Sequence, residues 1–120
     1  MKYRPASEGE EILRSDYRKK IIFSREDFDE NGHLLQVVTI PPDTRQRLHF
    51  HRQQTEVFYI LEGEAAITIN DVEYPARPGD AFMCSPGYVH NVWNQAGREF
   101  KLVVFKINLP DGGEDSHWQE

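Results

Sequence analysis

Short apolar segments alternate with turn residues through the middle of the chain. Segments such as 34–40 and 100–107 are rich in β-branched and aromatic residues, which favour strands. Turn residues recur every 8–12 positions or so, and Asn31-Gly32 is typical of a tight hairpin turn. No helical periodicity interrupts this pattern, so it predicts an all-β sandwich or barrel. The predicted strands are 19–24, 34–40, 48–51, 56–61, 65–69, 72–74, 81–84, 89–93 and 100–107.

The two ends of the chain depart from the strand pattern. Residues 7–15 are charged and predict a short helix or an arm. Residues 110–120 lack periodicity and predict a flexible tail, in which His117 and Trp118 are tag-like or disordered unless the tail folds over a neighbour. We therefore expect one domain over residues 1–109, consisting of an N-terminal arm and a core at about 19–108.

Length and charge exclude several classes of protein. A chain of 120 residues most simply forms one domain. Its net charge of −6 comes from acidic and basic residues that are mixed along the chain, which argues against nucleic acid or an anionic membrane as the main partner. No apolar run approaches the ~20 residues that span a bilayer, and the polar N-terminus predicts neither a signal peptide nor an anchor.

Cys84 is the only cysteine, so no internal disulfide can form. This composition fits a reducing compartment and predicts a cytoplasmic protein. We interpret Cys84 as a small buried hydrophobe rather than a nucleophile or ligand. The chain is polar but rich in aromatic residues, which favours a homodimer that covers some of them.

Four residues with metal-binding side chains lie on the predicted strands. His49 and His51 are two apart and therefore project from the same face of a strand. Glu56 begins the next apolar strand, and His90 begins another. Each has an ordinary explanation alone: a hydrogen-bonded histidine pair, a carboxylate that meets Arg52 or water, and a satisfied core histidine. Together on one barrel, they predict a metal site.

The same residues form two motifs that resemble those of the cupin superfamily. The first runs from His49 to Gly63 as His-x-His, four residues, Glu, six residues and Gly. The second runs from Gly79 through Gly87 and His90 to Asn94. It departs from the cupin pattern only where Ser85 replaces the usual proline, with Pro86 one residue later. The fifteen-residue gap between the motifs is similar to that of small single-domain microbial cupins.

The resemblance implies a jelly-roll barrel (a double-stranded β-helix) with a metal ion near one mouth. His49, His51, Glu56 and His90 match the cupin ligands, and Asn94 matches a residue that supports the site. Three imidazoles and one carboxylate suit one divalent transition metal: Fe, Mn, Ni, Cu, Co or Zn. Four protein ligands on a six-coordinate ion leave two positions open, as in catalytic sites.

Further residues are expected beside the metal on grounds of strand parity. Arg47 and Arg45 share parity with the two histidines, and either could hold an anionic substrate or simply end a strand in solvent. Phe58 shares parity with Glu56 and is expected to line the interior. Tyr88 precedes His90 in a turn and is expected to overhang the cavity. Arg47, Phe58 and Tyr88 are therefore the candidate substrate contacts.

The sequence leaves the activity open. A metal-dependent enzyme acting on a small polar molecule is the first hypothesis, with dioxygenase, sugar or phosphosugar isomerase and decarboxylase all compatible. The alternative is a non-catalytic protein that binds or senses a small molecule with the help of the metal. The fold does not decide between these hypotheses, because one scaffold hosts many reactions.

Overall fold

The computed structural model describes residues 1–113 and 115–119. This part of the chain contains twelve strands and one short 3-10 turn (Arg25–Asp27), with no α-helix. The strands are β1 Glu10–Leu13, β2 Arg18–Phe23, β3 Leu34–Ile40, β4 Thr44–Arg45, β5 His49–His51, β6 Thr55–Glu62, β7 Ala65–Ile69, β8 Val72–Ala76, β9 Ala81–Cys84, β10 His90–Asn94, β11 Phe100–Ile107 and β12 Ser116–Trp118.

The strands form two antiparallel sheets that pack face to face as a jelly-roll barrel. The first sheet has the order β1-β2-β3-β11-β6-β9. The second has the order β12-β5-β10-β7-β8, and β4 also pairs with β10. The predicted all-β jelly-roll fold is confirmed.

The apolar core lies between the two sheets because alternate residues of each strand point inward. On β6, for example, Phe58 and Ile60 are buried whereas Tyr59 is 48% exposed. The buried cluster consists of Ile40, Phe58, Ile60, Ile67, Ala76, Cys84, Val92, Phe100, Leu102 and Val104.

The inner face of the first sheet becomes more polar along the strands. Residues that pair across β3, β11 and β6 form rows on this face, and their composition changes from one row to the next. In order, the rows are Val38–Leu102–Ile60, Gln36–Val104–Phe58 and Leu34–Lys106–Glu56. The barrel interior is therefore apolar at one end and charged at the other.

Two turn glycines are required by the backbone. Gly63 has φ +81°, and a Cβ atom there would lie 2.5 Å from the carbonyl oxygen of Glu99. Gly87 has φ +85°, and its N–H donates to the carbonyl oxygen of His51 at 2.6 Å. The turn that contains Ser85 is closed by a hydrogen bond from Tyr88 N–H to Ser85 O at 3.1 Å, so serine is compatible with a turn at this position.

Three strands were not predicted. Residues 7–15 were expected to form a short helix or an arm; the helix is absent, and β1 lies there instead, paired with β2. It is an edge strand with Leu13 72% exposed. Its residues are charged because most of them face solvent, not because they form one face of a helix. The other unpredicted strands, β4 and β12, have only two and three residues.

The segment expected to be a flexible tail contains β12, which pairs with β5. Two of its residues, Glu114 and Glu120, lie outside the described residues. In the described part of the chain, no helix has the length and apolar character needed to cross a membrane.

Candidate metal centre

The structure brings His49, His51, Glu56 and His90 together at the polar end of the barrel. His49 and His51 are on β5, Glu56 is on β6, and His90 pairs directly with His49 across the second sheet. One potential ligand atom from each residue lies within 4.8 Å of all the others. This is close to the ~4.2 Å that separates opposite ligands of one first-row ion. His51, Glu56 and His90 are buried, and His49 is half-buried.

Each histidine of this cluster uses its Nδ1 atom to contact a backbone carbonyl. A carbonyl oxygen only accepts, so Nδ1–H is the donor in every case and Nε2 is the nitrogen that faces the cluster. Such contacts are typical partners of metal-binding histidines, because they fix the tautomer and the ring orientation. The pairs are His49 with Arg47 O at 3.0 Å, His51 with Asp115 O at 3.0 Å and His90 with Tyr88 O at 2.9 Å.

The atoms that converge at the cluster centre are stabilised by a positive charge. The Nε2 atoms of His51 and His90 are buried, and both face Oε1 of Glu56, with the His90 distance at 3.5 Å. If the imidazoles are neutral, only lone pairs and a carboxylate meet there, and their repulsion is unfavourable in a buried site. A proton or a metal ion removes this conflict. The residues present therefore suit a divalent metal ion.

The metal-free protein carries this charge on His90. Burial disfavours the His90 imidazolium, but hydrogen bonding to Cys84 and to Glu56 raises its pKa to about 10. Burial also disfavours the Glu56 carboxylate, yet hydrogen bonds from His51 and His90 hold its pKa well below the usual range. Burial and the neighbouring His90 charge lower the pKa of His49 to about 4. Near neutral pH, an ionised Glu56 thus pairs with a protonated His90.

A cavity of about 140 Å³ lies beside the cluster, between the two sheets. Apolar side chains of both sheets form part of its wall, including Phe58, whose ring centroid lies 5.9 Å from that of His90. The remaining wall is polar and charged. Besides the four cluster residues, the lining consists of Asp16, Tyr17, Lys19, Gln36, Val38, Ile40, Gln46, Arg47, Phe58, Val92, Leu102, Val104, Lys106, Ser116 and Trp118.

The unpredicted strand β12 forms one wall of this cavity. Trp118 pairs with His49 across β5 and β12, and the two rings contact edge to face with centroids 5.6 Å apart. Arg47 lies over the Trp118 ring, with its guanidinium carbon 5.4 Å from the ring centroid. Sequence reasoning assigned no role to Trp118, because the segment has no strand periodicity and its partner strand lies more than sixty positions away.

Asp115, just before β12, connects the C-terminal segment to the four-residue cluster. Its side chain is buried and accepts backbone N–H bonds from Arg52 at 3.2 Å, Gln53 at 2.7 Å and Gln54 at 2.9 Å. Although burial opposes it, this set of bonds lowers the pKa of Asp115. The anchored loop separates His51 from Glu56, and the Asp115 carbonyl also orients the His51 ring. Asp115 therefore helps to position two of the four cluster residues.

The other predicted site residues have mixed placements. Arg47 and Phe58 line the cavity, as expected from parity. Arg45 does not, because the strand is interrupted at residues 46–48 and Arg45 instead stacks on Trp93, 4.6 Å from its ring centroid. Tyr88 contributes its backbone carbonyl to His90, and its half-exposed ring is not part of the cavity wall.

Asn94 and Cys84 lie near the site without forming part of the cavity wall. The buried Asn94 amide donates to the carbonyls of Ile40, Pro41 and Arg98, so it joins strand ends rather than contacting a histidine. Cys84 is 1% exposed within the apolar core and contributes to the raised pKa of His90.

Comparison with known proteins identifies several relatives. One relative is an oxalate-binding protein from Thermotoga maritima, 26% identical over 88 residues that cover 73% of each chain. Another is an oxidoreductase from Arthrobotrys oligospora, 38% identical over 61 residues. That match covers 50% of this chain but only 24% of the oxidoreductase.

Solved structures share the same architecture. A predicted oxalate decarboxylase from Thermotoga maritima superposes with a TM-score of 0.79 at 24% identity, covering 90% of this chain and all of that one. The polyketide cyclase RemF from Streptomyces resistomycificus gives a TM-score of 0.80 at 19% identity, covering 100% and 86%. The family model described as "Cupin domain" matches residues 36–106, which span nine of the twelve strands, wholly or in part, and include all four cluster residues. The chain therefore belongs to the cupin family.

Proposed function

We propose that this protein is a metal-dependent cupin that binds one divalent transition metal and acts on a small polar molecule. His49, His51, Glu56 and His90 are the proposed ligands. The observation that carries the proposal is the convergence of three oriented imidazoles and one carboxylate in a largely buried cluster.

The cavity supports a ligand that binds next to the metal. Four protein ligands on a six-coordinate ion leave room for water or substrate, as in catalytic sites. A bound ion of this kind supplies Lewis acidity toward a chelating oxygen or lowers the pKa of a bound water. Around it, Phe58 and Val92 exclude bulk water from one side, and Arg47 at the Trp118 wall offers a charged donor to an anionic group.

Among the reaction classes, we propose decarboxylation or oxidation of a small organic acid first, ahead of sugar isomerisation. Two relatives support this order by their names, an oxalate-binding protein and a predicted oxalate decarboxylase from Thermotoga maritima. A cavity of about 140 Å³ suits a molecule of a few heavy atoms more readily than a phosphosugar.

Elemental analysis followed by turnover assays tests this proposal. We expect about one transition-metal ion per chain, together with carbon dioxide release or oxygen uptake on a panel of small keto acids, dicarboxylates and diols. Protein purified without chelators that holds only trace metal would contradict the assignment of the four ligands. The variant Glu62→Gln serves as a control, because Glu62 ends the same strand as Glu56 but lies at the surface.

The second candidate is non-catalytic binding of the same class of molecule, which the name of the oxalate-binding relative supports. Calorimetry on the metal-loaded protein separates the two candidates. A small acid that binds with high affinity and is recovered unchanged after long incubation supports binding alone, whereas its conversion supports the enzyme.

We further propose a homodimer in a reducing cellular compartment such as the cytoplasm. Tyr59, Leu61 and Met83 are exposed on β6 and β9 and offer an apolar surface for a second copy. Light scattering that gives the mass of two chains supports this proposal, and a monomer at micromolar concentration contradicts it.

A further inference from the structure

The wall of the cavity formed by the first sheet carries polar groups that the metal cluster does not use. Gln36 lies on β3 and Lys106 on β11, and both line the cavity. Their positions follow from the register, because Gln36 pairs with Val104, which is two residues before Lys106 on the same face. Both therefore face the histidines across the cavity, from the opposite sheet.

Gln36 is buried without a hydrogen-bond partner for its side-chain oxygen. Gln36 is 4% exposed, and its Oε1 atom contacts no donor among the described residues. A buried amide oxygen without a partner is unfavourable by about 1–3 kcal/mol unless something else supplies the partner. Rotation of the amide presents either its oxygen or its N–H donors to the cavity, so a polar ligand can satisfy it.

Lys106 adds a positive charge to the same wall of the cavity. In the described part of the chain, the ion pairs of Glu56 within 4 Å are with His51 and His90, so Lys106 acts on Glu56 only from a longer distance. Three cationic side chains line the cavity, Lys19, Arg47 and Lys106, against two carboxylates, Asp16 and Glu56. A divalent ion would add two further positive charges, so the cavity favours an anion.

We propose that Gln36 and Lys106 form an anion-binding subsite that holds one carboxylate of a small organic acid, while the other polar end of that acid lies at the metal cluster. This inference rests on the proposed function and specifies the substrate class. The Lys106 ammonium supplies charge, and the Gln36 amide supplies a directional hydrogen bond. Phe58 and Val104 share the row of Gln36 and line the same cavity, so the ligand meets an apolar surface beside its polar contacts.

Calorimetry with malonate and its neutral diamide, malonamide, tests the subsite on the metal-loaded protein. Lys106→Met should weaken malonate binding by about 10- to 100-fold, as expected for a lost charged hydrogen bond, and leave malonamide binding unchanged. Gln36→Glu should weaken malonate binding more than Lys106→Met does, because it places a carboxylate against the carboxylate of the ligand. Lys101→Met is the matched control, since Lys101 lies on the same strand but pairs with Glu62 at the surface. It should leave malonate binding unchanged.

The outcomes separate this inference from the proposed function. If Lys106→Met binds malonate as the wild type does, or changes only metal content and stability, Lys106 is a counter-charge for Glu56 and the subsite is wrong. If the wild type binds malonamide as tightly as malonate, the subsite is also wrong, while the metal site stands. A wild type that holds no metal contradicts the proposed function. If this metal-free protein still binds malonate more tightly than malonamide, and Lys106→Met abolishes the difference, the subsite is supported.

Discussion

The two ends of the barrel interior are built on the same strands and differ in almost everything else. At one end, Val38, Leu102 and Ile60 meet in an apolar row, and the last two are at most 2% exposed. Four residues along the same strands, Lys106 and Glu56 meet in a charged row. The difference separates two roles within one jelly roll. The apolar end stabilises the fold, whereas the polar end carries the candidate site and lowers stability, because buried polar and charged groups are unfavourable.

A substitution at the apolar end should give the largest loss of stability. Leu102→Ala removes a buried side chain from the centre of the core, and large-to-small changes of this kind cost about 2–5 kcal/mol. We expect chemical denaturation to show this loss, while metal stoichiometry at low temperature stays at the wild-type value. A Leu102→Ala protein that stays folded but loses its metal would contradict the division between the two ends.

A substitution at the polar end should reverse this pattern. His51→Ala removes one of four proposed ligands, and sharing ~10–16 kcal/mol of metal-binding free energy among four ligands predicts a loss of roughly 100- to 1,000-fold in affinity. The metal-free variant should stay folded and lose about 1–3 kcal/mol of stability relative to the metal-free wild type, because Glu56 loses its contact with His51 but keeps its pair with His90. Metal titration measures the first effect, and unfolding of both metal-free proteins measures the second. Unchanged metal affinity would refute the ligand assignment.

Asp115 is an intermediate case, since it positions two of the proposed metal ligands without being a ligand itself. Asp115→Ala frees the loop between His51 and Glu56, so metal affinity should fall by about 10- to 100-fold, the usual effect of losing a residue that orients ligands. Asp115→Asn keeps one acceptor and should recover part of this loss. Asp111→Ala is the control, because the Asp111 side chain is fully exposed. Equal metal affinities for Asp115→Ala and the wild type would show that the loop is held by other contacts.

Metal affinity should also rise with pH, by up to tenfold per pH unit. A metal ion must displace the proton on His90, whose pKa is raised to about 10 by Cys84 and Glu56 against the effect of burial. The metal-bound state thus holds fewer protons, and raising the pH favours it until His90 has lost its proton in the metal-free protein. Free imidazoles would predict this window near pH 6.5 instead.

Calorimetric titration in two buffers of different ionisation enthalpy measures this exchange. We expect about one proton to be released per metal ion at pH 7.5. Metal binding that releases no proton at this pH would contradict the pairing of a protonated His90 with Glu56.

Much of the site could be predicted from local sequence patterns. Strand parity places His49 and His51 on one face, and the turn residues on either side locate Glu56 and His90 at strand starts. Nine strands were predicted because their apolar residues alternate or cluster between turns. The Asn31-Gly32 turn was predicted because Asn-Gly can adopt positive φ, and Gly32 has φ +87°.

The rest depends on contacts that no local pattern contains. The Nδ1 partners of the three histidines are backbone carbonyls, and any residue type supplies one. Asp115 and Trp118 reach the site through a three-residue strand that pairs across sixty-odd positions. Arg45 was misplaced because strand parity holds only while the strand continues, and it stops before residue 46.

X-ray absorption at the edge of the bound metal is the measurement that tests the central claim most directly. For the metal-loaded wild type, we expect scattering from three imidazole rings and from oxygen ligands, with one imidazole lost in His51→Ala. A sulfur ligand from Cys84, or an imidazole count that His51→Ala leaves unchanged, would contradict the assignment of His49, His51, Glu56 and His90 as the metal centre.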